Sequence, residues 1–247
     1  MARAAGFGEE GGVVIEAVFF DAGETLLSPQ PSWSEICVDI LRARGHEVTV
    51  DEMRGAWVKG GQRFVQAADE GRTFSTSKGE SMRFWIALYL ELLEVIGIKD
   101  DEAAELMYRT FSDPETYGLF PDAVPTLDEL RSRGLRLGVI SNFESWLRDL
   151  LDHLKVTERF EVIAVSGDLG WEKPDPRIFK WALEDMGVLA ERSMYVGDSP
   201  HFDPGPARAV GMHGVLLDRH GRWVDLEGDY PRIASLTELP GLIDSLD

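Results

Sequence analysis

The chain of 247 residues contains a single cysteine, Cys37, and this scarcity limits its covalent chemistry. One cysteine cannot form a disulfide within the chain, and no histidine or second cysteine stands beside it to complete a metal site. The neighbours of Cys37 are apolar residues at helical spacing. We therefore expect Cys37 to be a core residue of a protein from a reducing compartment, which indicates the cytoplasm.

Positive charge is scarce as well. Lysine and arginine number 25 against 44 aspartate and glutamate residues, and the formal net charge at pH 7 is −19. Such a charge repels nucleic-acid backbones and anionic membrane surfaces. We expect neither nucleic acid nor membrane as a partner, and the sequence does not distinguish a monomer from a homodimer.

Long apolar runs are missing too. The best candidate for a membrane span, residues 85–98, is interrupted by Glu91 and Glu94 and is shorter than the roughly 20 residues that a bilayer requires. Residues 1–12 lack the apolar stretch of a signal peptide and are rich in glycine, so we expect them to form a flexible lead-in.

Short runs of β-branched and aromatic residues recur along the rest of the chain and alternate with helical patterns. Apolar residues at helical spacing occupy 146–154 and 178–186, each after a predicted strand. This alternation is typical of a doubly wound parallel α/β sheet, the fold class that we predict. The predicted strands are 13–20, 135–140, 162–165, 194–196 and 214–217.

A stretch of different character, residues 28–119, separates the first predicted strand from the second. It has helical periodicity and little strand signal. Ser32 and Glu35 form a capping-box pattern, and a strong helical pattern runs from Met82 to Leu92. We predict an inserted helical domain at 28–119 and a core domain that comprises 13–27 and 120–247.

Polar residues lie at the ends of four of the predicted strands or in the loops that follow them. In open α/β sheets, ligands bind outside the carboxyl ends of the strands, so these residues are expected to converge on one edge. They are Asp21 and Thr25 after the first strand, Ser141 and Asn142 after the second, Lys173 after the third, and Asp198 and Asp203 after the fourth.

The segments that contain these residues resemble, in order, the four motifs of the haloacid dehalogenase-like hydrolases. They read Asp-Ala-Gly-Glu-Thr at 21–25, Val-Ile-Ser-Asn at 139–142, Glu-Lys-Pro-Asp-Pro-Arg at 172–177 and Val-Gly-Asp-Ser-Pro-His-Phe-Asp at 196–203. The resemblance covers residues 13–217, and the helical insertion is similar to the C1-type cap of that family. It implies a Rossmann-like core with the active site beneath the cap.

The resemblance also implies a nucleophile and a metal site. Asp21 would attack phosphorus and form an aspartyl-phosphate. Mg²⁺, a hard cation that prefers carboxylates and water, would be held by Asp21, Asp198 and the backbone carbonyl of Gly23. Asp203 either contributes to this site, directly or through water, or caps a short helix at 206–210.

The same resemblance implies a set of residues that bind the phosphoryl group. Ser141, Asn142 and nearby main-chain groups would donate to its oxygens, and Lys173 would be the catalytic positive charge. Thr25 belongs to this substrate-binding set because it braces the first loop. The expected substrate is a small phosphorylated metabolite.

One departure from the family pattern affects the chemistry. The usual first motif has a second aspartate two residues after the nucleophile, as general acid and base, and here that position is Gly23. General acid catalysis typically contributes ~10²- to 10⁴-fold, so a poor leaving group should be affected most. Glu24 and His201 are the nearby groups that could replace it.

This departure leaves several functions open. We predict a Mg²⁺-dependent phosphatase, favouring activated phosphates. A 2-haloacid dehalogenase is the second possibility, although such enzymes carry a serine where this chain has Asp198. Phosphonate hydrolysis would need a cap lysine, for which Lys59 is the candidate. A non-catalytic binding module would not need Asp21, Ser141, Lys173 and Asp198 together.

Overall fold

A six-stranded parallel sheet forms the centre of the molecule in the computed structural model, which describes residues 14–60 and 62–246. The expected lead-in of residues 1–12 lies outside the described residues. The sheet has the strand order β5-β4-β1-β6-β7-β8, and β2 and β3 form a separate antiparallel pair. The strands are β1 (Ala17–Phe20), β2 (Leu27–Pro29), β3 (Tyr117–Leu119), β4 (Arg136–Ser141), β5 (Val162–Val165), β6 (Ser193–Gly197), β7 (His213–Leu217) and β8 (Arg232–Ile233).

Eleven α-helices accompany these strands among the described residues. They are α1 (Trp33–Ala43), α2 (Val50–Gly60), α3 (Gln62–Asp69), α4 (Lys78–Val95), α5 (Asp101–Thr110), α6 (Ala123–Ser132), α7 (Leu147–His153), α8 (Ser166–Leu169), α9 (Pro176–Met186), α10 (Pro204–Ala209) and α11 (Leu239–Asp244). Short 3-10 helices lie at Pro114–Thr116, Thr157–Arg159, Ala190–Arg192 and Leu236–Glu238.

Helices cover both faces of the sheet because successive residues of each strand point to opposite sides. Val18 and Phe20 of β1 are fully buried with residues of α6, α7 and α11 on one side. Ala17 and Phe19 are fully buried with residues of α9 and α10 on the other. The predicted doubly wound α/β class is therefore confirmed.

All five predicted strands are present in this sheet, and the two predicted helical faces belong to α7 and α9. Strand β1 begins at Ala17, four residues later than the predicted run. The pair β2–β3 and the edge strand β8 have two or three residues each, too few to produce a periodic signal in sequence.

Helices α1 to α5 lie between β2 and β3 in the sequence and form a unit with its own hydrophobic core. Ser32 accepts a hydrogen bond from the Glu35 amide at 3.3 Å and so caps α1, as the sequence predicts. Cys37 is fully buried in this core, which confirms its expected place. Trp33 and Trp57 pack against each other with their ring centroids 4.5 Å apart, in a larger aromatic cluster.

Hydrogen bonds join this helical unit to loops at the carboxyl edge of the sheet. The buried carboxylate of Glu172 accepts bonds from the amides of Phe74 and Ser75, at 3.1 and 2.9 Å, and from the Ser75 hydroxyl at 2.6 Å. The Ser81 hydroxyl donates to Glu144 at 2.7 Å. The helical unit therefore lies over the edge at which the predicted site residues end.

Within the described ranges, no helix combines the length and the apolar composition that crossing a membrane requires.

Candidate active site

Three of the predicted site residues meet because β1 lies between β4 and β6 in the sheet. Asp21 follows β1 directly, and its amide donates to the carbonyl of Val196 in β6 at 2.9 Å. Ser141 is the last residue of β4, and Asp198 follows β6 directly. The Ser141 hydroxyl donates to Oδ1 of Asp21 at 2.9 Å.

Lys173 makes the central contacts of the site, with only 3% of its side chain exposed. Its ammonium group donates to Oδ1 of Asp21 at 2.8 Å, to Oδ1 of Asp203 at 2.6 Å and to the hydroxyl of Tyr195 at 2.7 Å. A lysine ammonium has three N–H donors, so all three are used within the protein. The lysine therefore neutralises Asp21 and Asp203 at the same time.

Burial and charge oppose each other in this network. Burial alone would lower the pKa of Lys173, but the carboxylates of Asp203 and Asp21 outweigh it and hold that pKa above its ordinary value. Burial raises the pKa of Asp21, against the opposing effect of Lys173 and with a further contribution from the charge of Asp203. The lysine is thus charged at neutral pH.

Asn142 holds the main chain of Lys173. Its side-chain nitrogen donates to the Lys173 carbonyl at 2.8 Å, and its side-chain oxygen accepts from the Lys173 amide at 2.6 Å. Both polar ends of this side chain are engaged, whereas the sequence predicts contact with substrate. In this structure the Asn142 side chain positions the lysine, and one N–H of its amide nitrogen and its main-chain amide make no hydrogen bond to the described residues.

Carboxylates converge beside Lys173. Asp21, Asp198 and Asp203 each offer an oxygen within 4.8 Å of the others. Burial raises the pKa of Asp198 well above its ordinary value, and the charges of Asp203 and Asp21 raise it further. A cation bound here would remove this repulsion, and the oxygen donors are those that Mg²⁺ prefers. The carbonyl of Gly23 accepts no hydrogen bond from any described residue.

Asp203 is committed to interactions within the protein. Its Oδ1 accepts from Lys173 and from Tyr195, and its Oδ2 accepts from the Ser199 amide at 2.7 Å. The carboxylate packs so closely on Gly197 that a Cβ there would collide with it. Helix α10 begins at Pro204 rather than at the predicted 206, and the Asp203 side chain makes no capping hydrogen bond to it.

Thr25 is fully buried at the end of the first loop. Its carbonyl accepts from Arg219 at 2.8 Å, and Arg219 also donates to both oxygens of Asp122, at 2.7 and 2.9 Å. The Thr25 hydroxyl has no hydrogen-bond partner among the described residues. Thr25 thus joins the first loop to the loop after β7.

Two candidates for the missing acid differ in their surroundings. Glu24 adopts a left-handed backbone with φ of 54°, and burial raises the pKa of its carboxyl against the charges of Arg222 and Arg219. Its charge raises the pKa of Asp198, and the charge of Asp21 raises the pKa of Glu24 itself. His201 faces the helical unit, with Nε2 3.9 Å from Oδ1 of Asp69, and makes no hydrogen bond or ion pair with Asp21.

Lys59 lies far from these groups. It is exposed in the last turn of α2, beside Val95 and Ile96 at the end of α4. Ser81, which contacts the sheet layer through Glu144, is in the first turn of α4. At 1.5 Å per residue, Ser81 and Val95 are about 21 Å apart along this helix. The structure gives Lys59 no part in a Schiff base near Asp21.

The loop after β7 adds site residues that the sequence analysis missed. The Trp223 indole donates to the carbonyl of Asp198 at 3.1 Å, and the Arg222 guanidinium lies 3.6 Å from Oδ2 of Asp198. Asp218, a polar residue directly after a predicted strand, is the signal that could have revealed this loop. Tyr195 gives no such signal, because it lies inside β6.

Comparison with known proteins finds similarity to one family of hydrolases along most of the chain. The family model for haloacid dehalogenase-like hydrolases matches residues 15–211. Haloacid dehalogenase-like hydrolase domain-containing protein 3 of Homo sapiens is 34% identical over 208 residues, which are 82% of this chain and 82% of that protein.

Two further proteins extend this comparison. Phosphoserine phosphatase of Thermus thermophilus is 34% identical over 173 residues, which are 67% of this chain and 70% of that protein. The solved structure of the putative HAD-hydrolase YfnB from Bacillus subtilis, bound to magnesium, covers 94% of this chain and 99% of its own with a TM-score of 0.72. Its sequence identity is 21%, so this match shows the fold alone.

Proposed function

Because this chain belongs to the haloacid dehalogenase-like hydrolases, we propose that it is a Mg²⁺-dependent phosphatase of small phosphorylated metabolites. The observation that carries the proposal is the buried contact of Lys173 with both Asp21 and Asp203, beside the carboxylate of Asp198. A nucleophile, a fixed positive charge and a set of metal ligands are thus combined at one sheet edge. We also propose that helices α1 to α5 form the cap that covers this edge.

Asp21 is the nucleophile in this proposal. Ser141 and Lys173 both donate to its Oδ1, whereas its Oδ2 accepts no hydrogen bond from the described residues. An electron pair of Oδ2 forms the bond to phosphorus while the bond to the leaving oxygen breaks and its electron pair leaves with that oxygen. Water then cleaves the aspartyl-phosphate, releases phosphate and restores the carboxylate.

Asp21, Asp198 and the Gly23 carbonyl would hold the Mg²⁺. When bound, the ion neutralises the carboxylates and the phosphoryl oxygens, so that two anions can approach each other. Asp203 contributes by holding Lys173, because both of its oxygens already accept hydrogen bonds. Asn142 fixes the main chain from which Lys173 projects.

The buried acidic cluster favours the phosphatase over a 2-haloacid dehalogenase. A metal-free reaction would keep Asp198 close to Asp21 with only Arg222, at 3.6 Å, to compensate it, and burial with the neighbouring carboxylates raises the pKa of Asp198 in that arrangement. Because position 23 is a glycine, no side chain there can protonate the leaving group. Without an acid at that position, phosphates whose leaving groups depart as stable anions should react fastest.

The first test is hydrolysis of p-nitrophenyl phosphate with Mg²⁺ and after its removal by a chelator. We expect phosphate release that falls at least a hundredfold on chelation and returns when Mg²⁺ is added, because Lys173 and Arg222 alone cannot neutralise the acidic cluster together with an incoming phosphoryl group. Dechlorination of 2-chloropropionate is measured in parallel. Chloride release that needs no metal, without phosphate release, would replace the phosphatase with a dehalogenase.

A second prediction concerns Gly23→Asp. The backbone of Gly23 lies outside the left-handed region, and a Cβ at this position meets no atom within 4 Å, so a side chain fits. We expect the variant to hydrolyse alkyl phosphates faster by at least tenfold and toward ~10²-fold, because it restores a general acid. Steady-state kinetics with ethyl phosphate and p-nitrophenyl phosphate would show the gain chiefly for the alkyl ester.

Gly23→Asn is the matched control, because it has the same shape without a transferable proton. An equal gain in both variants would mean that the side chain acts by reshaping the loop around Glu24. No gain in either variant would contradict the view that a missing acid limits this enzyme.

A further inference from the structure

Arg222 brings a guanidinium group to the acidic cluster from the loop after β7. Its Nη2 lies 3.6 Å from Oδ2 of Asp198, and 42% of its side chain is exposed. The guanidinium makes no hydrogen bond within 3.5 Å to any residue in the described part of the chain. The guanidinium thus forms an ion pair with Asp198, while its N–H donors remain available for hydrogen bonds to a ligand.

The loop that carries Arg222 is held firmly at this edge. The buried carboxylate of Asp218 accepts from the amides of Arg222 and Trp223, at 2.7 and 3.0 Å. The Trp223 indole donates to the carbonyl of Asp198, the residue after β6. These bonds fix the backbone of Arg222 beside the proposed metal ligands, whereas its charged end reaches solvent.

The other cationic groups nearby are occupied. All three donors of Lys173 point to acceptors within the protein. Arg219 is paired with Asp122 and donates to the carbonyl of Thr25. His220 has its Nε2 4.0 Å from Oε2 of Glu24, and burial and the charges of Arg222 and Arg219 lower its pKa.

From this arrangement we propose that Arg222 binds a second anionic group of the substrate, a carboxylate or a second phosphate next to the phosphoryl group that is transferred. The inference rests on the proposed phosphatase function and narrows its substrate class. Guanidinium presents two parallel donors that match the oxygens of either anion. The other charged groups that the described residues place beside this edge are the carboxylates of Asp21, Asp198 and Glu24, which would repel a second anion.

The test compares Arg222→Ala and Arg222→Lys with the unaltered protein on three substrates. These are p-nitrophenyl phosphate, with one anionic group; 2-phosphoglycolate, with an added carboxylate; and 1,3-propanediol bisphosphate, with an added phosphate. Arg192→Ala is the matched control, because Arg192 is paired with Glu16 at the opposite, amino end of the strands.

We expect Arg222→Ala to lower the ratio of kcat/KM for a doubly anionic substrate to kcat/KM for p-nitrophenyl phosphate by tenfold or more, mainly through KM. Arg222→Lys should recover part of this ratio, and Arg192→Ala should not change it. The doubly anionic substrate with the larger loss identifies carboxylate or phosphate as the group bound. An unchanged ratio together with a higher Mg²⁺ requirement would overturn the proposal and make Arg222 a support for Asp198.

A binding measurement separates this inference from the proposed function. Titration calorimetry in the presence of Mg²⁺ compares the binding of 2-phosphoglycolate and of ethyl phosphate to two proteins. One carries Asp21→Asn alone, and the other carries Asp21→Asn together with Arg222→Ala. If no substrate is hydrolysed by the unaltered protein, the phosphatase function fails. Selective weakening of 2-phosphoglycolate binding by Arg222→Ala would still support the anion site. An affinity for 2-phosphoglycolate that Arg222→Ala leaves unchanged would overturn it.

Discussion

Asp21→Asn is expected to lower kcat for p-nitrophenyl phosphate by roughly 10⁴-fold or more, because loss of a covalent nucleophile removes the first step of the reaction. The amide that replaces the carboxylate is a poor nucleophile and also a weaker ligand for a hard cation. Measurement of phosphate release at saturating substrate and Mg²⁺ tests this expectation. Residual activity above about one hundredth of the original would exclude Asp21 as the nucleophile.

The same substitution should leave the fold intact. Burial raises the pKa of Asp21 in the folded protein, so its charge costs stability at neutral pH when no metal is bound. The metal-free variant should therefore have a thermal midpoint no lower than that of the unaltered protein. Asp128→Asn is the matched control, because Asp128 is half exposed and paired with Arg159 away from the site. A drop in the midpoint for Asp21→Asn alone would mean that misfolding explains its loss of activity.

Lys173→Met should reduce both activity and stability. The change removes the cation that Asp21 and Asp203 share in a buried environment. Breaking one side of a buried ion pair costs about 3–5 kcal/mol, because the remaining charges lose their counter-charge. The loss of a fixed positive charge in the site should also lower kcat, by ~10²- to 10³-fold. Urea unfolding gives the stability change, and phosphate release gives the catalytic one.

Combining Lys173→Met with Asp203→Asn separates the two effects. Removing one carboxylate together with its cation should recover much of the lost free energy of unfolding, whereas activity should stay low. The deficit of Lys173→Met should also shrink as the pH falls. The charge of Lys173 lowers the pKa of Asp21 in the unaltered protein, so that pKa rises further without the lysine, and protonation of Asp21 at lower pH relieves the repulsion. If Lys173→Met alone were as stable as the unaltered protein at pH 7, the ion pairs of Lys173 with Asp21 and Asp203 would contribute little to the free energy of unfolding.

The residues that follow strands could be predicted because they depend on local patterns. A buried parallel strand produces a continuous apolar run, and a polar residue at its carboxyl end must lie at the edge of the sheet. Asp21, Ser141 and Asp198 meet this description, and all three lie at one edge of the observed sheet. The helical insertion could be predicted in the same way, from the change of period between strands β1 and β4.

The contacts between these residues required the folded chain. Tyr195 reaches Lys173 because β6 lies beside β1, and strand order depends on pairings between segments that are distant in sequence. The side chain of Asn142 turns to the Lys173 main chain, although its motif alone places it among the groups that bind substrate.

The sequence by itself determined the parallel α/β class, the helical insertion and the polar residues at the strand ends, because hydrophobic periodicity and motif order are local properties. Only the tertiary structure decided which donors are free. Every N–H of Lys173 is occupied, Asp203 is committed to that lysine, and the guanidinium of Arg222 is available. The physical reason is that hydrogen-bond partners and burial depend on the packing of loops from separate strands, and no local pattern encodes that packing.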